Sequence, residues 1–170
     1  MEKLGLDYIE LNLSVVQCAY QSLALEYLKI INEYGIDTKY INLEITETGS
    51  IESRQILLDN MGELRKSGIS FSLDDFGTGN SNLNYIMDMP VEIVKFDKEM
   101  TKAYFQNEKS QYIMDAAMHM IQGLQLEIVS EGIETEEQAN TLRILGADRL
   151  QGYYYHKPMP ENEIVKLFEK

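Results

Sequence analysis

Short runs of apolar and β-branched residues alternate along the chain with longer segments whose apolar residues recur every three or four positions. Runs of the first kind are typical of buried strands, and the second spacing is typical of helices packed on one face. Strands are predicted at residues 8–13, 40–45, 69–73, 91–96, 126–129 and 149–154. The chain is therefore predicted to repeat a strand followed by a helix.

The helical segments have recognisable faces and ends. One apolar face is predicted from Leu23, Tyr27, Leu28, Ile31 and Tyr34, and a later one from Ile113, Ala116, Ala117, Met120 and Leu124. Helix ends are predicted before four of the strands, at Gly35, Gly68, Gly123 and Gly146. Thr135 and Gln138 have the spacing of a capping box at the start of a helix.

This alternation predicts the α/β class, with a parallel sheet and helices packed outside it. Six such units fit an open, doubly wound sheet. They also fit an incomplete TIM-type (β/α) barrel, whose full form has eight units in ~250 residues. The hydrophobic pattern alone leaves both architectures open.

Composition narrows the class of protein and its partners. The chain has 170 residues with 28 acidic against 15 basic, a net charge of −13, which opposes binding to polymeric nucleic acid or anionic lipid. No apolar run approaches the ~18 residues of a membrane helix. A single cysteine, Cys18, excludes an internal disulfide and fits a reducing cytoplasm.

Polar residues stand at the end of every predicted strand, and most are carboxylates. They are Asn12, Glu44 with Glu47, Asp74 with Asp75, Lys95 with Asp97, Glu131 with Glu134, and Gln151. Active sites of parallel α/β proteins lie at the carboxyl ends of the strands. An open sheet concentrates its ligands at one switch point, so a ring of candidates favours the barrel.

So many carboxylates around one cavity require neutralising cations. Oxygen ligands favour Mg²⁺ or Mn²⁺ over zinc, and the adjacent Asp74 and Asp75 can serve two ions. Paired ions ~3.5–4 Å apart suit an in-line displacement at phosphorus. Gly77 and Gly79 would let the backbone turn tightly away from the aspartates.

Plainer interpretations exist for the single residues. Residues 77–80, GTGN, resemble a dinucleotide-binding loop, but the third glycine is absent. Asp75 could cap a helix, Lys95 could pair with Asp97, and Glu134 could be a first-turn helix acid. Their coincidence at successive strand ends favours a shared site.

The chain resembles the EAL domain, the bacterial phosphodiesterase of cyclic di-GMP, from end to end. The matching segments are ELNLS (10–14), NLEITET (42–48), LDDFGTGNSNL (73–83), VKFDKEM (94–100), SEGIETEEQ (130–138) and QGYYYHKPM (151–159). The resemblance implies a two-metal hydrolysis of cyclic di-GMP to linear pGpG, with two Mg²⁺ or Mn²⁺ ions in a complete site.

The resemblance also implies a role for each matching position. The first ion would be held by Asn12, Glu44 and Asp74, and the second by Asp74, Asp75 and Glu131. Lys95 would orient the attacking water or stabilise the phosphate, with Asp97 positioning it, and Glu131, Lys95 and Asp97 would be the catalytic residues. Glu47 would brace the 76–82 loop, which contains Gly77 and Gly79 and couples the site to a dimer interface. Glu134 and Gln151 would complete the site around water and guanine nucleotide.

One departure from the family is large. The Glu-Ala-Leu motif and a nearby substrate-contacting arginine are absent from the sequence. The expectation is a single EAL-type domain over residues 1–170 that is truncated at its N-terminus and weak or inactive by itself. A non-catalytic module that binds cyclic di-GMP or a protein partner is the alternative. An enolase-like barrel with Lys95 as base is the third hypothesis, and the paired aspartates argue against it.

The expected partners follow from the family and from the unit count. Cyclic di-GMP is the expected ligand, and sensory or GGDEF-type domains are expected elsewhere in the parent protein. Six units leave the first and last strands with unpaired edges, which favours a homodimer with Leu11, Leu13 and Leu150 at or beside the contact.

Overall fold

The computed structural model describes residues 5–18, 20–46, 54–78 and 83–168. Its six strands form one parallel sheet in the order β1-β2-β3-β4-β5-β6. The strands are β1 (Ile9–Asn12), β2 (Ile41–Thr46), β3 (Ser70–Phe76), β4 (Ile93–Phe96), β5 (Glu127–Ser130) and β6 (Arg149–Leu150). The sheet curls into part of a barrel, as predicted.

Helices follow the strands in the predicted alternation. They are α1 (Val15–Cys18), α2 (Leu23–Glu33), α3 (Arg54–Lys66), α4 (Leu83–Asp88), α5 (Lys98–Tyr104), α6 (Glu108–Gly123), α7 (Glu136–Leu145) and α8 (Glu161–Phe168). In the part of the chain that the structure describes, none of these helices has both the length and the apolar character needed to cross a bilayer.

The main core lies between the outer face of the sheet and the helices. Alternate residues of each strand point outward into it, such as Leu43, Phe71 and Val94, all of which are fully buried. On the opposite face of β2, the amide of Asn42 donates to the hydroxyl of Ser70 and accepts from that of Ser72. The inner face of the curl is therefore polar at this level.

The two edges of the sheet approach each other through side chains. Arg149 on β6 makes an ion pair of 2.8 Å with Asp7, just before β1, and its guanidinium lies 5.0 Å from the ring centre of Tyr8. β1 and β6 each have one strand neighbour in the described sheet. Leu11 is 49% exposed at the β1 edge, whereas the predicted contact residue Leu13 is buried in the core.

Two predictions about local structure were wrong. Helix α6 buries Met114, Met118 and Ile121. Of the predicted face, Ala117 and Met120 are partly buried against the core, whereas Ile113 is exposed. Both stripes have helical spacing, so the sequence pattern alone did not separate them. Strand β6 ends at Leu150 because the chain turns at residues 153–155, where the N–H of Tyr154 donates to the carbonyl of Ile133.

The helix termini follow the sequence signals more closely. Thr135 and Gln138 form the predicted capping box at the start of α7, with each side chain accepting from the backbone N–H of the other. Gly146 ends the same helix in the left-handed conformation, with φ of 100°. After α6, however, it is Gln125 rather than Gly123 that adopts positive φ.

Candidate active site

A buried lysine lies at the centre of the polar cluster. Lys95 projects from β4, and its side chain is only 3% exposed. Its ammonium donates to the carboxylate of Glu44 and lies 2.9 Å from Glu131, 3.6 Å from Glu10 and 3.8 Å from Asp74. Four carboxylates from four segments therefore surround one cation, and a formal charge of −3 is left uncompensated in a half-buried cavity.

This arrangement shifts the titration of its members. Burial raises the pKa of Asp74 to about 6, although the nearby Lys95 opposes the rise. Burial likewise raises the pKa of Glu10 to about 6, with Lys95 opposing and Glu44 adding to the rise. Burial alone would lower the pKa of Lys95, but hydrogen bonds to Glu44 and Glu131 hold it above its usual range.

The two aspartates of β3 coincide with a break in the strand register. Leu73 is paired with Val94 and Phe76 with Phe96, so β3 contains one more residue than β4 between these two pairs. An extra residue of this kind is a β-bulge, which re-aims side chains and is common next to active sites. Asp75 has a φ of 57°, a conformation that aspartate tolerates better than most residues. The bulge therefore interrupts the alternation that would point neighbouring side chains to opposite faces.

The turn after the aspartates requires a glycine. Gly77 has a φ of 99°, and a Cβ built on it would lie 2.5 Å from the sulfur of Met100. The carbonyl of Asp75 accepts from both the N–H and the hydroxyl of Thr78, at 3.3 and 3.0 Å. The predicted tight turn at Gly77 is therefore present.

Glu131 is fixed by two loops that pack closely on each other. Its N–H donates to the carbonyl of Phe96 at 3.0 Å. The next residue, Gly132, has a φ of 73° and approaches the backbone of Lys98. A Cβ at Gly152 would come within 2.1 Å of the carbonyl oxygen of Ile133. These glycines allow the contacts that hold the Glu131 carboxylate against Lys95.

The other predicted site residues are placed around this cluster. Asn12 is exposed and lies in register with Glu44, so both side chains share one face of the sheet. Asp97 is buried and caps α5 by accepting from the N–H of Glu99 at 2.8 Å, rather than contacting the Lys95 ammonium. Glu134 and Gln151 are exposed, and Gln151 lines the same cavity as Glu10. Glu47 and Gly79 lie outside the described residues.

The sequence prediction missed one member of the cluster, Glu10. It precedes Asn12 by two positions on β1, so strand alternation puts both on the same face. Strand alternation therefore could have predicted Glu10, whereas the polar residues at and after the strand ends do not include it.

The donor set suits a hard divalent cation. All candidate ligands provide oxygen, and one carboxylate oxygen of Asp74 and one of Glu10 are buried without a hydrogen-bond partner among the described residues. Within the same ranges, no three histidine, cysteine or acidic side chains are already arranged to hold a metal ion. The residues fit such an ion chemically, and its entry would draw Glu44 and Glu131 away from Lys95.

A cavity of about 620 Å³ adjoins the cluster inside the curl of the sheet. It is lined by residues from both edges of the sheet, including Tyr8, Glu10, Arg149, Gln151 and Tyr155. Small-molecule sites commonly have volumes of ~300–1,000 Å³. The cavity is therefore large enough for an organic ligand next to the carboxylates.

Comparison with known proteins places these features in one family. A family model described as the EAL domain matches residues 2–158. The cyclic di-GMP phosphodiesterase PdeL of Escherichia coli (strain K12) is 36% identical over 144 residues, which are 82% of this chain and 39% of that protein. The chain spans about a fifth of the length of other curated relatives that it matches.

Solved structures support the same grouping. The EAL enzyme Bd1971 with cAMP and cyclic di-GMP bound has a TM-score of 0.89 and 29% identity, covering 96% of this chain and 43% of that one. The phosphodiesterase PaMucR in complex with cyclic di-GMP has a TM-score of 0.84 and 30% identity, covering 96% of this chain and 68% of that one.

Proposed function

This chain belongs to the EAL domain family, and we propose that its site hydrolyses cyclic di-GMP to the linear dinucleotide pGpG. One observation carries the proposal: the buried Lys95 ammonium is surrounded by four carboxylates on the inner face of the curled sheet. The names of PdeL and PaMucR, and the cyclic di-GMP bound in the latter structure, support the substrate.

Two divalent cations, Mg²⁺ or Mn²⁺, are part of the proposal. Asn12, Glu44 and Asp74 would hold the first, and Asp74, Asp75 and Glu131 the second. When bound, the cations would supply Lewis-acid stabilisation to the reacting phosphate. The buried carboxylate oxygen of Asp74 that has no hydrogen-bond partner among the described residues supports this assignment.

Lys95 stabilises the phosphate in this proposal. With Glu44 and Glu131 serving as ligands of the cations, the Lys95 ammonium would be free to donate to a phosphate oxygen or to the attacking water. Water adds to phosphorus and gives up one proton, one P–O3′ ester bond breaks, and the leaving 3′ oxygen takes up one proton, so the proton count is unchanged. The Lys95 charge then offsets the negative charge that develops on the phosphate oxygens.

Asp97 is a positioning residue rather than a direct partner of the substrate. Its side chain caps α5, and its N–H donates to the carbonyl of Phe76 at 3.3 Å, so the chain is fixed two residues after Lys95. Glu134 and Gln151 would contact water or the nucleotide at the mouth of the site, and Glu47 would brace the 76–82 loop.

A second candidate function is binding of cyclic di-GMP or a protein partner without cleavage. It is favoured by the described geometry, in which the Lys95 ammonium holds the carboxylates of Glu44 and Glu131. Chromatographic detection of pGpG separates the two, when a protein that also carries the Glu-Ala-Leu segment is incubated with cyclic di-GMP and Mn²⁺. Product formation that EDTA abolishes is expected for the enzyme, whereas tight binding without product would support the second function.

Mn²⁺ or Mg²⁺ is expected to raise the melting temperature of the protein. At a hundredfold excess over its dissociation constant, an ion adds about 2.7 kcal/mol to the free energy of unfolding. Asp74→Asn is expected to abolish most of that gain, because the residue is proposed to serve both ions. Differential scanning fluorimetry with and without EDTA measures the shift, and Asp59→Asn on the exposed face of α3 is the control. An undiminished shift in Asp74→Asn would remove this residue from the metal site.

A homodimer through the sheet edges is also proposed. Ile9 and Leu11 are 48% and 49% exposed on the edge strand β1, and exposed edges of this kind recruit further strands. Light scattering at micromolar concentration is expected to give twice the monomer mass, and Leu11→Glu is expected to give monomers. A second apolar surface, the groove of about 700 Å³ beside Ile113, provides the control Ile113→Glu. Dissociation by Ile113→Glu alone would place the contact on α6 instead.

The proposed setting is the cytoplasm of a bacterial signalling system. The single cysteine, Cys18, is buried in the core, which fits a reducing compartment. MucR of Pseudomonas aeruginosa is named as a bifunctional diguanylate cyclase and phosphodiesterase, and the matched region covers 23% of it. Sensory or GGDEF-type domains in the parent protein are therefore part of the proposal.

A further inference from the structure

Glu10 lies in the cluster although the sequence features that predicted the site did not include it. One of its carboxylate oxygens is 3.6 Å from the ammonium of Lys95. The other is buried and has no hydrogen-bond partner among the described residues. The side chain as a whole is 24% exposed, so it reaches inward from the edge strand rather than into open solvent.

The neighbouring positions of β1 put Glu10 beside the proposed first cation. Asn12 is paired with Glu44 and Glu10 with Asn42. Glu10 therefore lies on the same face of the sheet as Asn12, two residues closer to the start of β1. Its Oε2 and a carboxylate oxygen of Asp74 are both within 4 Å of the same Lys95 nitrogen. Glu10 is therefore within one side-chain length of the groups that the proposed function assigns to that ion.

The charge balance makes a purely structural role for Glu10 unfavourable. Lys95 already makes closer contacts with Glu44 and Glu131 than with Glu10. A further buried carboxylate adds like-charge repulsion, and an unpaired buried oxygen keeps its desolvation cost. A divalent cation would compensate both effects, because its positive charge offsets the repulsion and the unpaired oxygen could coordinate it.

We propose that Glu10 is a further ligand of the divalent cation that Asn12, Glu44 and Asp74 would hold. The inference rests on the proposed function and deepens it. Three side chains leave a six-coordinate ion with several positions for water, and the unpaired oxygen of Glu10 would fill one of them. This chain would then provide three carboxylates and one amide to its first ion.

The metal-free protein distinguishes a metal ligand from a simple counter-ion of Lys95, because the two roles of Glu10 predict different effects of Glu10→Gln on stability. If Glu10 served to neutralise Lys95, Glu10→Gln would lower the melting temperature in EDTA. If Glu10 is a metal ligand that is repelled by its neighbours without metal, the same variant is expected to melt at the same temperature or higher. The metal-free melting temperature therefore separates the two roles without any activity measurement.

The test is a calorimetric titration of the purified protein with Mn²⁺, supported by melting curves in EDTA. Loss of a residue that only hydrogen-bonds to a metal ligand weakens metal affinity by ~10–100-fold. Because Glu10 is proposed to bind the ion directly, Glu10→Gln is expected to weaken Mn²⁺ affinity at least about tenfold. Glu127→Gln is the charge-matched control, because Glu127 on β5 pairs with Arg149 rather than Lys95. Its Mn²⁺ affinity is expected to stay within about threefold of the parent.

Three outcomes distinguish the inference from the proposal beneath it. Weakened Mn²⁺ binding in Glu10→Gln, with an undiminished EDTA melting temperature, supports Glu10 as a ligand. Parent-like affinity in Glu10→Gln, while Asp74→Asn loses binding, overturns the inference and leaves the proposed metal site intact. Unchanged affinity in both variants, or absence of Mn²⁺ binding by the parent protein, overturns both.

Discussion

In a protein that carries the Glu-Ala-Leu segment in addition to this chain, Glu131→Ala is expected to lower the rate of cyclic di-GMP hydrolysis by at least ~10²-fold, since it removes a proposed metal ligand beside the reacting phosphate. The carboxylate lies 2.9 Å from the Lys95 ammonium, and its position is set by the close packing of the loops at Gly132 and Gly152. Alanine leaves this backbone unchanged but removes the only part of the residue that reaches the cluster. The effect is expected in kcat more than in KM.

The control for this prediction is Glu137→Ala. Glu137 is exposed in the first turn of α7, six residues further along the chain and away from Lys95. Its rate is expected to stay within about threefold of the parent, since a first-turn acid contributes only a fraction of a kcal/mol to the helix. Initial rates of pGpG formation provide the measurement, and circular dichroism checks that both variants fold. Near-parental turnover in Glu131→Ala would show that this residue takes no part in the chemistry.

The architecture was predictable because two sequence signals agreed. Alternating strand and helix patterns indicated a parallel sheet, and polar residues at successive strand ends favoured a barrel over an open sheet. Lys95 and Glu131, which come from neighbouring strands, now lie 2.9 Å apart. Curling of the sheet is what brings Glu10 from the first strand to the same ammonium.

Local packing choices were harder to predict from the sequence. Helix α6 contains two overlapping apolar stripes. Only the neighbouring elements decide that Met118 is buried and Ile113 is exposed. Similarly, Leu150, Tyr153 and Tyr154 favoured a strand over residues 149–154. Strand β6 nevertheless ends after two residues, where Gly152 approaches the backbone of Ile133 closely. Tertiary contacts overrode local propensity in both cases.

The adjacent aspartates show a different limit. The sequence predicted Asp74 and Asp75 as neighbouring metal ligands. Strict strand alternation, however, would point their side chains to opposite faces of the sheet. The register shift between Leu73 and Phe76 and the positive φ of Asp75 interrupt this alternation. A bulge depends on how the partner strand is paired, which no pattern within residues 69–76 specifies.

Lys95→Met is expected to lower the free energy of unfolding by about 3–5 kcal/mol in EDTA, because it leaves several buried carboxylates without their cation. Methionine fills a similar volume, so the loss reports on charge more than on packing. Urea unfolding measures the change, and Lys102→Met on the exposed side of α5 is expected to have little effect.

The double variant Lys95→Met with Glu44→Gln tests whether charge causes that loss. Glu44 is the carboxylate that accepts a hydrogen bond from Lys95, and both side chains are almost fully buried. Neutralising Glu44 removes one of the repelling charges, so the double variant is expected to be more stable in EDTA than Lys95→Met alone. Mn²⁺ is expected to stabilise Lys95→Met more than the parent protein, since the cation then has no ammonium to displace. If Lys95→Met unfolds at the parental urea concentration in EDTA, the carboxylates are neutralised by protons rather than by Lys95.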